Sequence, residues 1–330
     1  MLREILARGT KEQRAWALRT LEHTARLRGH REAIAGMIVQ TPAGEKRRTV
    51  YDAQHGTELP GKLVRGENNP RSKDIAVNEA YDGAGVVYDF FQKVYQRNSV
   101  DDRGMRLDST IHYDRQYDNA FWNGVQMVYG DGDGRIFRRF TRAIDVIGHE
   151  LAHGVTQYEA NLNYQGQPGA LNESFSDVFG SLVKQWMLKQ TADKADWLIG
   201  AGLFTAKVKG VALRSMKAPG TAYNDPVLGR DPQPAHMKNL YKKADDNGGV
   251  HINSGIPNHT FYLAAVEIGG FAWEKAGKIW YLTLCDRLRR NANFAQAADA
   301  TIAVAGELYG STSKEQKAVR NGWQKVGVIP

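Results

Sequence analysis

Cysteine is almost missing from this chain: among 330 residues Cys285 stands alone. An intrachain disulfide is therefore excluded, and the fold must be held by its core. Cys285 closes the apolar stretch Trp280-Tyr281-Leu282-Thr283-Leu284, where a buried small hydrophobe is the better reading than a nucleophile. No run of about 18 apolar residues occurs, so no transmembrane helix and no membrane partner are expected. The opening residues, Met1-Leu2-Arg3-Glu4-Ile5-Leu6-Ala7-Arg8, lack the apolar stretch of a Sec signal peptide. The expectation is a cytoplasmic protein or one exported by a non-classical route. Internal repeats and low-complexity tracts are also missing.

What is present is an ordinary globular composition, 42% hydrophobic and 24% charged, long enough for two lobes with real cores. The net charge is +8, and residues 1–43 carry half of it. A nucleic-acid surface would spread a basic stripe with interleaved aromatics over the body. None is visible, so a solvated helix face explains the arginines and no nucleic-acid partner is expected.

Residues 10–32 read as one amphipathic helix, with Thr10 and Gln13 at capping-box spacing and Leu18, Leu21 and Ala25 as its apolar stripe near Trp16. Thr41 to Arg48 reads as an exposed linker, where proteolysis concentrates. The chain divides accordingly into a segment 1–43, a mixed α/β lobe 44–164 and a helical lobe 165–330. In the second, Asp82-Gly83-Ala84-Gly85 is expected to open a helix through Val86–Phe91. Strands are expected near 109–113 and 126–129. Asp131-Gly132-Asp133-Gly134 could suggest a calcium loop, but the twelfth position of an EF-hand would be Arg142. A tight turn between strands is the better reading. Beyond the helix expected at 143–158, helices dominate, broken by loops near 207–235 and 246–257.

That helix carries His149-Glu150-Leu151-Ala152-His153. Positions i and i+4 share a helix face, so the two imidazoles project together and suit one tetrahedral zinc. Glu150 flanks the metal without binding it, in the position of a general base for an attacking water. A third ligand is needed from the next helix, and Glu173 follows 20 residues after His153. Asp177 lies one turn further on the same face, placed to accept a hydrogen bond from a ligand imidazole.

The His149–His153 motif together with Gly169-Ala170-Leu171-Asn172-Glu173-Ser174-Phe175-Ser176-Asp177 resembles the thermolysin-like metallopeptidases, and further matches extend over most of residues 50–330. Asp118 to Gly124 is similar to the family's substrate-binding edge strand, Asp246 to Gly255 to its second catalytic loop, and Leu213-Arg214-Ser215-Met216 to the segment with its substrate-binding arginine. The resemblance implies an α+β, two-lobed fold with a central zinc helix. It implies a zinc endopeptidase acting on peptide or protein substrates, with His149, His153 and Glu173 as ligands and Glu150 as base. His251 and Tyr164 would donate to the oxyanion, with Asp246 orienting His251. Arg214, Asn119 and the Ala120 backbone would hold the peptide extended. Phe137, Phe140, Val146, Ile199 and Leu213 would line the pocket beyond the scissile bond, implying cleavage before large hydrophobic residues.

Two departures stand out. Asp145 and Asp196 match positions of the family's double calcium site, but Lys184, Leu198 and Ala201 occupy the others, and Val211 removes a further acid. Calcium is not expected at the Asp145/Lys184/Asp196 cluster, where the ammonium would pair with both acids; calcium elsewhere is left open. The N-terminal segment is similar to the short pro-segment of the protealysin-like subgroup, without its Pro-Pro-hydrophobic motif. It is expected to restrain activity from within the chain until cleaved. A separate protein inhibitor is allowed for, and a monomer is expected.

Alternatives fit less well. Zinc aminopeptidases carry a Gly-x-Met-Glu-Asn motif missing here, and metzincins need a histidine where Glu159 stands. A non-catalytic basic binding protein would make no use of Glu150 or His251.

Overall fold

The structure, a computed structural model, describes residues 1–34 and 45–330, with the side chains of 25–34 left aside. The boundary expected near residue 43 and the first half of the linker lie outside the described residues.

Helix α1 (Leu2–Arg8) leads into α2 (Lys11–Ile34). The expected capping box is there: the Thr10 amide donates to Gln13 Oε1 at 2.8 Å, and the Gln13 amide to Thr10 Oγ1 at 3.3 Å. The expected stripe holds only in part: Leu21 is half-buried, and the Ala25 side chain lies outside the described residues. Leu18 is 49% exposed, and the buried face is Trp16, Ala17, Thr20 and Thr24. Ala17 joins the hydrophobic core while Thr24 bonds polar groups of the body, so threonine serves where leucine was expected.

The first lobe is built on a five-stranded sheet in the order β2-β1-β3-β5-β4: β1 (Arg48–Asp52), β2 (Lys62–Arg65), β3 (Leu107–Ile111), β4 (Ala120–Trp122) and β5 (Met127–Tyr129). β4 pairs antiparallel with β5, and its outer side is the sheet's edge. Helix α3 (Ile75–Tyr95) starts earlier than its glycines suggest, because Asp74 caps it through the Ala76 amide at 2.8 Å. Gly83 and Gly85 lie mid-helix, where Ile147 and Arg48 approach too closely for a Cβ. The 131–134 turn leads to a short 3₁₀ turn, Phe140–Arg142, rather than to a second strand.

Helix α4 (Ile144–Tyr158) is buried from Asp145 to Thr156, as expected of the helix joining two lobes. It packs on α5 (Gly166–Leu188) almost backbone to backbone. A Cβ on Gly180 would stand 2.3 Å from the Asp145 carbonyl oxygen and 3.0 Å from the His149 nitrogen. One face of α5 presents Glu173, Asp177, Gly180 and Lys184 to α4. Lys184 Nζ lies 2.9 Å from both Asp145 Oδ2 and Asp196 Oδ1, joining the acids as expected.

Residues 189–244 form loops with two short two-stranded hairpins, and five helices complete the lobe: α6 (Asp245–Asn253), α7 (Gly255–Ile268), α8 (Ala276–Leu282), α9 (Phe294–Tyr309) and α10 (Lys314–Lys325). The stretch expected as a loop at 246–257 belongs mostly to α6 and α7. It opens with four successive residues at positive φ, Asp246 to Gly249, which two glycines and an Asp-Asn pair tolerate. Among the described residues, no helix is long and apolar enough to cross a membrane.

The α4–α5 contact yields a prediction of known sign. In an ordinary helix Gly→Ala stabilises by up to about 1 kcal/mol. Gly180→Ala is expected to destabilise by roughly 1–3 kcal/mol through overpacking and to lower zinc content, checked by denaturant unfolding and metal analysis.

Candidate active site

His149 and His153 project from α4 toward Glu173 on α5. Their Nε2 atoms are 3.1 Å apart, and each lies 3.5 Å from a Glu173 oxygen. The tautomers follow from the outer partners. His149 Nδ1 lies 2.7 Å from Asp177 Oδ1, and His153 Nδ1 lies 2.7 Å from Asn172 Oδ1, while the Asn172 amide nitrogen donates to the Leu162 carbonyl. Both outer groups are acceptors, so each Nδ1 carries the proton and each Nε2 lone pair points inward. Two lone pairs and a buried carboxylate converging on one point are the donor set of a Zn²⁺ site. Among the described residues this triad is the group placed to hold a metal.

The field favours a cation at the same point. Burial would lower the His149 pKa, but Asp177 and Glu173 outweigh it and raise it to about 10, so without metal the inward Nε2 carries a proton, and a zinc ion gains its lone pair by displacing that proton. Burial likewise opposes ionisation of Asp177, yet Arg214 and His149 hold it well below the usual carboxylate range. Arg214 grips Asp177 with two bonds of 2.7 Å, and Asn258 donates to it at 2.8 Å. A centre with so much negative potential attracts a cation.

Around the triad, Glu150 is buried and accepts the Trp122 amide of β4 at 3.0 Å. The Tyr164 hydroxyl reaches Glu173 and lies 3.1 Å from His251 Nε2. Asp246 accepts from His251 twice, from Nδ1 at 2.6 Å and from its amide at 2.9 Å. The left-handed start of α6 turns Asp246 back under the imidazole. Asn119, Ala120, Phe140, Val146, Leu213 and Arg214 share the cleft with Glu150 and the triad. Phe137 and Ile199 do not line it. Both are fully buried one layer behind: Phe137 packs on Phe140 with ring centres 5.7 Å apart, and Ile199 pairs with Arg214 in a short hairpin.

One cleft residue comes from the N-terminal segment. Thr24 of α2 bonds the Tyr117 hydroxyl at 2.8 Å and accepts from Asn119 Nδ2 at 3.3 Å. Asp114 takes Arg19 and His23 of the same helix at 3.4 Å each, Arg135 pairs with Glu12 at 2.8 Å, and Arg3 pairs with Asp245 at 3.1 Å. With Thr24 in its wall the cleft measures about 90 Å³, against roughly 300 Å³ for the smallest usual ligand sites.

Sequence reasoning missed Thr24, the Trp122 amide, Asn258 and the role of Asn172. Asn172 lies inside the quoted motif, so its spacing could have revealed it. Asn258 is 81 residues from Asp177 and carries no local signal.

Comparison with known proteins decides the family. The profile described as thermolysin metallopeptidase, catalytic domain, matches residues 40–157, and that of the alpha-helical domain matches residues 160–328. The chain belongs to the thermolysin family of metallopeptidases. With the His149–His153–Glu173 triad it is a zinc metalloendopeptidase, and the reading as a non-catalytic basic protein is not supported. An "Extracellular metalloprotease" of Pectobacterium carotovorum subsp. carotovorum is 54% identical over 99% of this chain and 94% of its own length. "Protease PrtS" of a Photorhabdus strain is 47% identical over 99% of this chain and 90% of its own. The solved precursor of protealysin, a metalloproteinase from Serratia proteamaculans, superposes with a TM-score of 0.91 at 55% identity, covering 99% of this chain and 97% of that one. The thermolysin-like α+β fold and an intramolecular pro-segment follow from that likeness.

Proposed function

We propose that this thermolysin-family chain is the zymogen of an endopeptidase that cleaves before large hydrophobic residues, held inactive by residues 1 to about 43. Convergence of the triad, Glu150 and His251 on one cleft with an edge strand carries the reading. An extended peptide adds to β4, where the Ala120 backbone, Asn119 and Arg214 fix its direction. Its side chain beyond the scissile bond enters the space between Phe140, Val146 and Leu213; Phe137 and Ile199 support that wall from behind. Bound zinc supplies Lewis acidity at the scissile carbonyl and acidifies the attacking water. Glu150, oriented by the Trp122 amide, accepts the water's proton and returns it to the leaving amine. His251, its Nδ1 held by Asp246 at 2.6 Å, and the Tyr164 hydroxyl donate to the developing oxyanion. The segment that restrains these groups belongs to the same chain, so the restraint acts in cis. The name of the Pectobacterium relative favours export.

The test is hydrolysis of a blocked internal peptide by the matured chain. Activity is expected to vanish with chelator and in Glu150→Gln, and to fall about 100- to 1,000-fold in His251→Ala. An active Glu150→Gln variant would refute the assignment of the base.

Thr24 on Asn119 supports inhibition by occupancy. Removing residues 1–43 from the folded chain is expected to raise peptide hydrolysis, whereas unchanged activity and folding would make the segment an appendage.

The Lys184 ammonium is read as the substitute for a divalent cation between Asp145 and Asp196. Lys184→Met would leave Asp145 buried and unpaired, at a cost of about 3–5 kcal/mol. Any effect of calcium on the melting curve is expected to be the same in wild type, Asp145→Asn and Asp196→Asn. A calcium-dependent gain that disappears in Asp145→Asn or Asp196→Asn would overturn the substitution.

A further inference from the structure

Behind the edge strand lies a pair of carboxyl groups that the chemistry above does not use. Asp118 is 6% exposed and Asp133 is 8% exposed, and each has one buried oxygen with no hydrogen-bond partner, Asp118 Oδ1 and Asp133 Oδ2. The backbone sets them together. The Gly132 amide donates to the Tyr117 carbonyl at 3.2 Å and the Gly130 amide to the Asn119 carbonyl at 2.9 Å, so Asp118 sits opposite the 131–133 turn. The Asp133 amide points at the Asp118 carboxyl, and the Asp133 charge acts on it.

The two acids have unequal surroundings. Asp133 Oδ1 accepts three amides, those of Arg135, Ile136 and Phe137, at 2.9, 2.7 and 2.9 Å. Such a nest fills the acceptor capacity of that oxygen with backbone amides. Asp118 has no such cradle. The neighbouring acids are already engaged, Asp114 by Arg19 and His23 and Asp131 by His112 and His55. Two buried like charges side by side are costly, and one proton removes both the repulsion and the two unmet acceptors. The hydroxyl of a protonated Asp118 can donate to Asp133 Oδ2.

The pair joins two walls of the cleft. Asp118 directly precedes Asn119 and Ala120, which the proposed function gives to the substrate backbone. The nest of Asp133 ends at Phe137, which backs Phe140 in the hydrophobic wall. We propose that Asp118 and Asp133 share one proton, and that this hydrogen bond fixes the edge strand against the hydrophobic wall, making Asp118 a positioning residue for peptide binding. The positioning half rests on the assignment of Asn119 and Ala120 as substrate-binding; the shared proton does not.

Burial first, then Asp133, pushes Asp118 up to about 8. The folded chain thus holds a proton that the unfolded chain gives up near pH 4. Stability contributed by this proton declines as pH rises from about 4 to about 8. Above that the pair is doubly charged and the walls are pushed apart.

Infrared spectroscopy of the full chain tests the proton directly. A buried carboxylic-acid carbonyl band is expected at pH 7, fading as pH rises past about 8, and missing in Asp118→Asn. No such band at pH 7 in the wild type overturns the shared proton. Kinetics of enzyme matured from the full chain test the positioning. KM is expected to rise about tenfold or more from pH 7 to 9.5 with a smaller change in kcat. In Asp118→Asn, whose neutral amide donates to Asp133 at every pH, the rise in KM is expected to disappear. An equal rise in KM in wild type and variant overturns the positioning role. Failure of the matured wild type to cleave any peptide would count against the peptidase reading, and the infrared band would still decide the proton.

Discussion

The contact of α4 with α5 at Gly180 is the constraint on which the rest depends. It lets two helix backbones touch, and the polar groups of the centre are spaced along the seam thus formed. Glu173 meets the two histidines at one end. Asp177 stands a turn further on behind His149, and Lys184 meets Asp145 at the other end. Without side chains to hold the helices apart, a buried ammonium and a buried carboxylate can pair at 2.9 Å. Such buried charges are tolerated only with close, well-directed partners. The same seam explains why α4 can be buried along most of its length although it carries two histidines and a glutamate.

Asp177 links the metal end to the substrate end. It collects His149 Nδ1, the Arg214 guanidinium and the Asn258 amide, and is fully buried. The residue that orients a ligand therefore also orients an arginine of the cleft wall. A substitution in either partner acts on both, so effects of changes at Arg214 and His149 should not add.

The zinc helix, the triad and the paired second helix were legible in the sequence because each rests on local spacing: His149 to His153 by one turn, Glu173 to Asp177 by another. Asp145, Lys184 and Asp196 were legible from the family pattern, and the ammonium stands between the two acids. Other features were hidden for physical reasons. The α2 stripe was misplaced because its buried face contains Thr24, which bonds to a tyrosine and an asparagine across the interface, where a hydropathy pattern looks for leucine. The start of α3 was misread because mid-helix glycines looked like a break, when the close approach of Ile147 and Arg48 calls for them. Phe137 and Ile199 were expected to line the pocket and instead lie buried behind it, because which layer a hydrophobe occupies is a tertiary fact.

An edge strand reads a peptide by the amides and carbonyls that the peptide leaves open. β4 offers its outer side to such a ligand. The N-terminal segment enters the same groove as a helix, whose backbone groups are already spent on one another along α2. Among the described side chains, Thr24 is the one it presents to the asparagine that would hold a substrate's backbone. A helix in that place offers β4 no free amides and carbonyls to pair with, so on the proposed reading unwinding α2, and not merely loosening it, is what would turn the occupant of the groove into something the strand can read.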